Sequence, residues 1–283
     1  RIYINGTFVM EHKGGFLPFE LELTELVVPG ETLLLTVAAD NRISHSTLPV
    51  GNEGGTAFFG SDNPGVPSVE AAKVWRKQGN LPNFDFFNYA GINRPVRLYT
   101  TPVSRICGLT LIPDIDGTDG ILQYEAETEG EGAVHVEIFD VEGNKAAEAE
   151  GASGTITIPD ARLWWPWPGT PYLYRAVFTF GEDIYEETFG IRTVKVEGTQ
   201  FLINGKPFYF KGFGKHEDSP FHGRGLDLCL DVKDVNLIHW LHANSFRTSH
   251  YPYAEEMYQL CDREGIVIID ETPAVGIGAG EHC

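Results

Sequence analysis

Three short clusters of ionisable and aromatic residues each follow an apolar run: Lys215-His216-Glu217-Asp218, Ser249-His250-Tyr251-Pro252-Tyr253 and Asp270-Glu271-Thr272. Imidazoles exchange hydrogen bonds readily near neutral pH, so His216 and His250 suit the hydroxyls of a polar small molecule such as a sugar. Either could instead be a satisfied histidine bonding a neighbouring loop, and Glu217 or Asp218 could cap the loop or helix that follows. Asp270 and Glu271 invite a different chemistry, because glycosidic bonds are cleaved between two carboxyl groups, roughly 5–5.5 Å apart in retaining enzymes and wider in inverting ones. Adjacent residues of a strand point to opposite faces, so only one of this pair can face a common mouth. The pair is therefore expected to support a site, orienting an arginine such as Arg247 or shaping the walls, and not to react.

The elements that must position these clusters are legible after about Val194. PFYFKGFG is an apolar run, DVKDVNLIHWLHA has helical spacing, SFRTSHY is strand-like, AEEMYQLCDREG is helical and IVIID is a short β-branched run. Strand, helix, strand, helix, strand predicts βαβ units on a parallel sheet, where loops at the carboxyl ends of the strands carry function. All three clusters fall at such ends.

Upstream the text is β throughout. From Arg1 to about Leu98 the runs RIYING, PFELEL and LLLTVAA alternate apolar and polar residues between turn signals, predicting antiparallel strands. A stretch from Pro49 to Phe84, with GNEGG, SDNPG and QGNLPN, is too long and too rich in Gly, Pro and Asn for a hairpin turn. From Tyr99 to about Thr193, strands are predicted at GLTLI, ILQYEAE, AVHVEIF, GTITI, YLYRAVFTF and YEETFGI, a spacing that suggests a sandwich. The acidic run over 125–151 reads as a solvated sheet face with polar turns.

Composition narrows the function classes. With 283 residues the chain can hold two or three domains, and 42% hydrophobic with 22% charged residues is ordinary globular usage. A formal charge of −19, with 21 Lys and Arg against 40 acids, argues against nucleic acid as a partner. No apolar run approaches the roughly 20 residues a membrane span requires. Cys107, Cys229, Cys261 and Cys283 are widely spaced and form no zinc-ligand pattern, so neither a disulfide framework nor a metal site is expected. No cofactor is implied either. The opening RIYINGTF, without an initiator Met or signal segment, reads as the middle of a longer protein and leaves the compartment open.

Three long runs carry a family resemblance: FDFFNYAGINRPVRLYTTP (84–102), FLINGKPFYFKGFGKHEDSPFHGRGLD (201–227) and NSFRTSHYPYAEEMYQLCDREGIVIIDET (244–272). Together they resemble an internal portion of the β-glucuronidases of glycoside hydrolase family 2. The resemblance implies a multidomain β plus α/β chain: a partial jelly-roll-like sugar-binding β-sandwich over 1–98, an immunoglobulin-like β-sandwich over 99–193, and the first strands of a β/α (TIM) barrel over 194–283. It implies retaining hydrolysis of terminal β-D-glucuronides, as small molecules or on glycans, without a cofactor, by a protein that is a homo-oligomer when complete.

The resemblance also implies roles. Asp85 matches the acid that reaches from the first domain to hold sugar hydroxyls, and His216 and His250 match the two histidines lining the sugar pocket. Glu217, Arg247, Tyr251, Asp270 and Glu271 are left as supporting residues. Read without the resemblance, Asp85 is a turn acid bonding backbone amides, although Phe84, Phe86, Phe87 and Tyr89 around it suit a pocket wall. The family's acid/base Glu sits in an Asn-Glu-Pro motif that occurs nowhere in this sequence, and its nucleophile Glu and the Asn-x-Lys element for the glucuronate carboxylate come later still. The chain is accordingly expected to be truncated at both ends, to hold no catalytic residue and to be inactive alone. A β-galactosidase or β-mannosidase of the same family is the nearest rival, and a non-catalytic carbohydrate-binding β-sandwich protein is the rival from another class. Two departures stand out: the tail GIGAGEHC does not continue the pattern, and the 49–84 stretch is longer than expected.

Overall fold

The computed structural model describes residues 1–44, 47–50, 84 and 86–275. Most of the long 49–84 stretch and the GIGAGEHC tail therefore lie outside the described residues. The chain opens with β1 (Ile2–Ile4), β2 (Thr7–Met10) and β3 (Leu35–Val37), paired antiparallel in the order β2-β1-β3. Asn5-Gly6 turns β1 into β2 with φ of 49° and 83°. Two positive φ angles in succession suit a two-residue hairpin turn, where Asn and Gly bear little strain. The expected strand at PFELEL does not form. Leu21 and Leu23 stay half-buried while Glu20 and Glu22 stay exposed. Among the described residues this segment has no ladder partner; Glu20 accepts from the Tyr99 hydroxyl at 2.5 Å and Glu22 from Thr24 N at 3.1 Å.

The middle of the chain is a seven-stranded sandwich. Its strands are β4 (Arg105–Asp116), β5 (Asp119–Glu129), β6 (Val134–Phe139), β7 (Lys145–Glu150), β8 (Ser153–Ile158), β9 (Tyr174–Phe180) and β10 (Asp183–Phe189). One sheet runs β4-β5-β8 and the other β10-β9-β6-β7. Alternation sends Val134, Val136 and Ile138 of β6 and Tyr174, Ala176, Phe178 and Phe180 of β9 inward, against Leu122 and Tyr124 of β5. Strand β7, KAAEAE, was not among the predicted strands. Ala and Glu are weak strand formers, but Ala146, Ala147 and Ala149 pack on the core while β6 supplies the ladder, so tertiary context overrides propensity.

After the sandwich, β11 (Val194–Glu197), β12 (Gln200–Ile203) and β13 (Lys206–Pro207) form a small antiparallel sheet. The PFYFKGFG run then divides. Pro207 closes β13, Phe208 and Phe210 pack edge-to-face with Phe201, and only Gly212–Lys215 forms β14. The predicted alternation follows: α1 (Leu228–Trp240), β15 (Ser245–Thr248), α2 (Glu255–Glu264) and β16 (Val267–Ile269), with β14, β15 and β16 parallel and adjacent. Val235 and Ile238 of α1 and Met257, Leu260 and Cys261 of α2 pack with Phe246 and Ile266 into one core. Three strands do not close a barrel, and Trp240 at the end of α1 is left 74% exposed. No described helix is long and apolar enough to cross a membrane.

The sandwich is fastened to the amino-terminal side of the parallel sheet, away from the clusters. Trp164 Nε1 donates to Asp262 O and Trp167 N to Gly265 O, both at 2.8 Å, and the Trp167 ring stacks on His239 at 5.2 Å.

Candidate functional site

The parallel register pairs Lys215 with Thr248, so the segments leaving β14 and β15 start side by side. One residue beyond Lys215 and two beyond Thr248, His216 and His250 meet edge-to-face, with ring centroids 5.4 Å apart and planes at 78°. His250 Nδ1 lies 3.3 Å from one carboxylate oxygen of Glu271, and Arg247 Nη1 lies 2.9 Å from the other. Arg247 also donates through Nη2 to Ser249 Oγ at 3.3 Å. His216 Nδ1 is 4.0 Å from Asp218. The three predicted strand ends thus come together in space.

Asp270 and Glu271, just beyond the end of β16, find different partners. Asp270 accepts from Thr248 Oγ1 at 2.9 Å and from the Tyr258 hydroxyl at 2.6 Å, while Glu271 N donates to Thr248 Oγ1 at 2.9 Å. Burial and the bond to Asp270 push the Tyr258 phenol well above its ordinary pKa. Burial also raises Tyr253, whose hydroxyl donates to the Lys215 carbonyl. Both phenols keep their protons at neutral pH and serve as donors that hold backbone and carboxylate in place.

Glu217 is engaged elsewhere. Its side chain is 7% exposed, accepts from Ala254 N at 2.7 Å and pairs with Arg94 at 2.5 Å. It therefore caps α2, across the fold, and not the helix that follows it in sequence. That helix, α1, is capped by Asp227, which accepts from Leu230 N at 3.1 Å and lies 2.8 Å from His222 Nδ1. Lys215 meets Asp234 of α1 at 2.8 Å. Tyr251 is fully buried, and burial pushes its phenol up to about 12.

Asp85 lies outside the described residues, but its neighbours reach the mouth. Phe84 and Phe86 stack at 4.4 Å; Phe86 lies 6.3 Å from the His250 ring and 5.0 Å from Tyr251. Two arginines at this junction, Arg94 and Arg224, carry no local signal in the sequence. Arg94 finds Glu217 and Arg224 donates to Phe87 O at 2.8 Å, partners 123 and 137 positions away, beyond any local pattern. Among the described residues, His135, Glu137 and Glu148 on the sandwich are the group spaced for a cation, but Lys145 already sits between the two acids at 3.4 and 2.5 Å and occupies the position a cation would take.

Family models match end to end: glycosyl hydrolases family 2, sugar binding domain, over residues 1–102; glycosyl hydrolases family 2 over 104–192; and glycosyl hydrolases family 2, TIM barrel domain, over 194–283. The chain belongs to glycosyl hydrolase family 2. Within this family it is 47% identical to a beta-glucuronidase of Paenibacillus borealis over 282 residues, covering 97% of this chain and 45% of that protein. The structure of Faecalibacterium prausnitzii beta-glucuronidase superposes with a TM-score of 0.90 at 62% identity, over 99% of this chain and 47% of the other. That of Bifidobacterium dentium beta-glucuronidase, complexed with coumarin-3-O-glucuronide, gives 0.87 at 57%, over 98% and 48%. The chain spans less than half the length of these family 2 relatives.

Proposed function

We propose that the protein carrying this chain is a retaining β-glucuronidase that removes terminal β-D-glucuronides, and that this portion holds the sugar without supplying the reacting carboxylates. The observation that carries the reading is the His216–His250 pair at adjacent strand ends, with Glu271 bonded to His250. Two imidazoles at one mouth offer directional partners for neighbouring sugar hydroxyls, and the carboxylate at Nδ1 fixes how the His250 ring is turned. Asp85, beside Phe84 and Phe86, would bring a further acceptor from the first domain. The beta-glucuronidase relatives, one of them solved with a glucuronide, support the choice of sugar.

Neither acid ending β16 is assigned to chemistry. Asp270 is held by Thr248 and Tyr258, and Glu271 by Arg247 and His250. A retaining glycosidase needs one carboxyl to protonate the leaving oxygen and another to attack the anomeric carbon. We assign both to residues outside this chain, with domains divided at about 98 and 193.

The test is hydrolysis of 4-nitrophenyl β-D-glucuronide, β-D-galactoside and β-D-mannoside by the complete protein and by the 283-residue chain. The complete protein is expected to prefer the glucuronide, and the chain alone to release no nitrophenol. Preference for the galactoside or mannoside would move the assignment to a sister activity. Turnover by the chain alone, abolished by Glu271→Gln, would place the chemistry here.

A further inference from the structure

At the junction of the first domain with the parallel sheet, Arg224 is 4% exposed, and among the described residues no carboxylate lies within ion-pair distance of it. A buried cation without a counter-ion is costly unless other groups replace its hydration. Here four aromatic rings surround it, while Nε has no hydrogen-bond partner among the described residues. The guanidinium carbon lies 4.1 Å from the centroid of Tyr251, 5.0 Å from Phe16, 5.3 Å from Phe86 and 5.8 Å from Tyr89. Phe16, Phe86 and Tyr89 come from the first domain, and Tyr251 directly follows His250. The negative ring faces attract a cation most strongly where water is excluded, as it is here.

The cage is the centre of a seam. Arg224 Nη2 donates to Phe87 O at 2.8 Å, Arg94 Nη1 to Arg224 O at 2.9 Å and Leu226 N to Asn93 O at 3.1 Å. The Arg94–Glu217 pair closes the far end. The partner loop is itself stiff: Ser219 and Gly223 exchange backbone bonds at 2.7 and 3.1 Å, and Ser219 Oγ accepts from His222 N at 3.0 Å. Gly223 has a φ of +55°, and a Cβ there would stand 2.9 Å from Tyr89 Cε1, so only glycine lets that ring close onto the loop.

From this seam we infer that Arg224 is a positioning residue: its caged guanidinium sets the register of the Phe86–Arg94 segment against the ends of β14 and β15. The segment begins next to Asp85, and Phe86 touches both Tyr251 and the neighbourhood of His250. Loss of the cation would let this wall slide relative to the two histidines without touching either one. The kinetic consequence rests on the β-glucuronidase reading; the structural one does not.

Two measurements test it. In the complete protein, exchange of the Leu226 amide, which donates across the seam to Asn93 O at 3.1 Å, is expected to quicken on the order of tenfold or more in Arg224→Met, with the sandwich strands β6 and β9 unchanged. Arg224→Lys, which keeps a cation among the rings, is expected to restore most of the protection; Tyr89→Leu, which opens one wall, should lose part of it and serves as the test if Arg224→Met does not fold. In the complete protein, Arg224→Met is expected to raise KM for the aryl glucuronide about ten- to a hundredfold with kcat much less affected, and Lys to recover it. Unchanged exchange at Leu226, or a Lys variant as impaired as Met, would overturn the assignment. A wild-type complete protein that ignores glucuronides would refute the function while leaving the exchange result to decide the role of Arg224.

Discussion

His250 Nδ1 lies 3.3 Å from the Glu271 carboxylate, so a residue from the end of β16 sets the orientation of a ring at the end of β15. Arg247 shares the same carboxylate at 2.9 Å. Replacing Glu271 by Gln removes the charge that gathers both groups. In the complete protein kcat/KM for the glucuronide is expected to fall about ten- to a hundredfold, equivalent to a charge-assisted hydrogen bond of roughly 1.5–3 kcal/mol. Steady-state kinetics checks this; a variant at wild-type kcat/KM would mean Glu271 does not support the site.

Glu217 joins three elements: the end of β14, the amino terminus of α2 and Arg94 of the first domain. Glu217→Gln keeps the size but loses the ion pair, and unfolding stability is expected to drop by roughly 1.5–3 kcal/mol, read from the urea midpoint. Removing Arg94 in the same background should then cost only its remaining bond to Arg224 O, about 0.5–1.5 kcal/mol, because the ion pair is already broken.

Gly265 ends α2 with a φ of 72°, and a Cβ there would stand 2.8 Å from the backbone nitrogen of Trp167. Gly265→Ala is expected to destabilise by at least about 1–2 kcal/mol from the left-handed backbone alone. The clash with Trp167, whose N–H bonds to Gly265 O, adds to that by prising the sandwich from the sheet. Thermal unfolding of the variant is the check, and an unchanged Tm would contradict it.

Asp231, in the first turn of α1, has its pKa raised from 3.8 to about 6, chiefly by burial, against an opposing pull from Lys215 and with Glu217, Asp234 and Asp227 adding to the rise. A carboxyl whose folded pKa exceeds its unfolded one is best accommodated when protonated. Its contribution to stability is full below pH 3.8 and is lost as pH rises through about 6. Asp231→Asn is expected to be more stable than the wild type at pH 7.5 by about 1–3 kcal/mol, the advantage vanishing toward pH 4. Melting curves at the two pH values decide it; a gap that persists at pH 4 would rule out the protonation origin.

The order of elements in the last third was legible because helical and strand periodicities differ, and a continuous β-branched apolar run such as IVIID marks a parallel strand even though Ile269 is exposed here. For the same reason the sequence alone placed His216, His250 and the Asp270-Glu271 pair at strand ends. Local text failed where the deciding partner is remote. PFELEL alternates like a strand but lacks a ladder among the described residues, and KAAEAE becomes β7 because β6 lies beside it. Which carboxylate serves which cation was likewise beyond the sequence: Glu217 caps a helix 37 positions on, and Arg224 is held by rings from both ends of the chain. Periodicity and strand-end chemistry are properties of neighbours in sequence, whereas caps, cages and ion pairs depend on distances that exist only once the domains have packed.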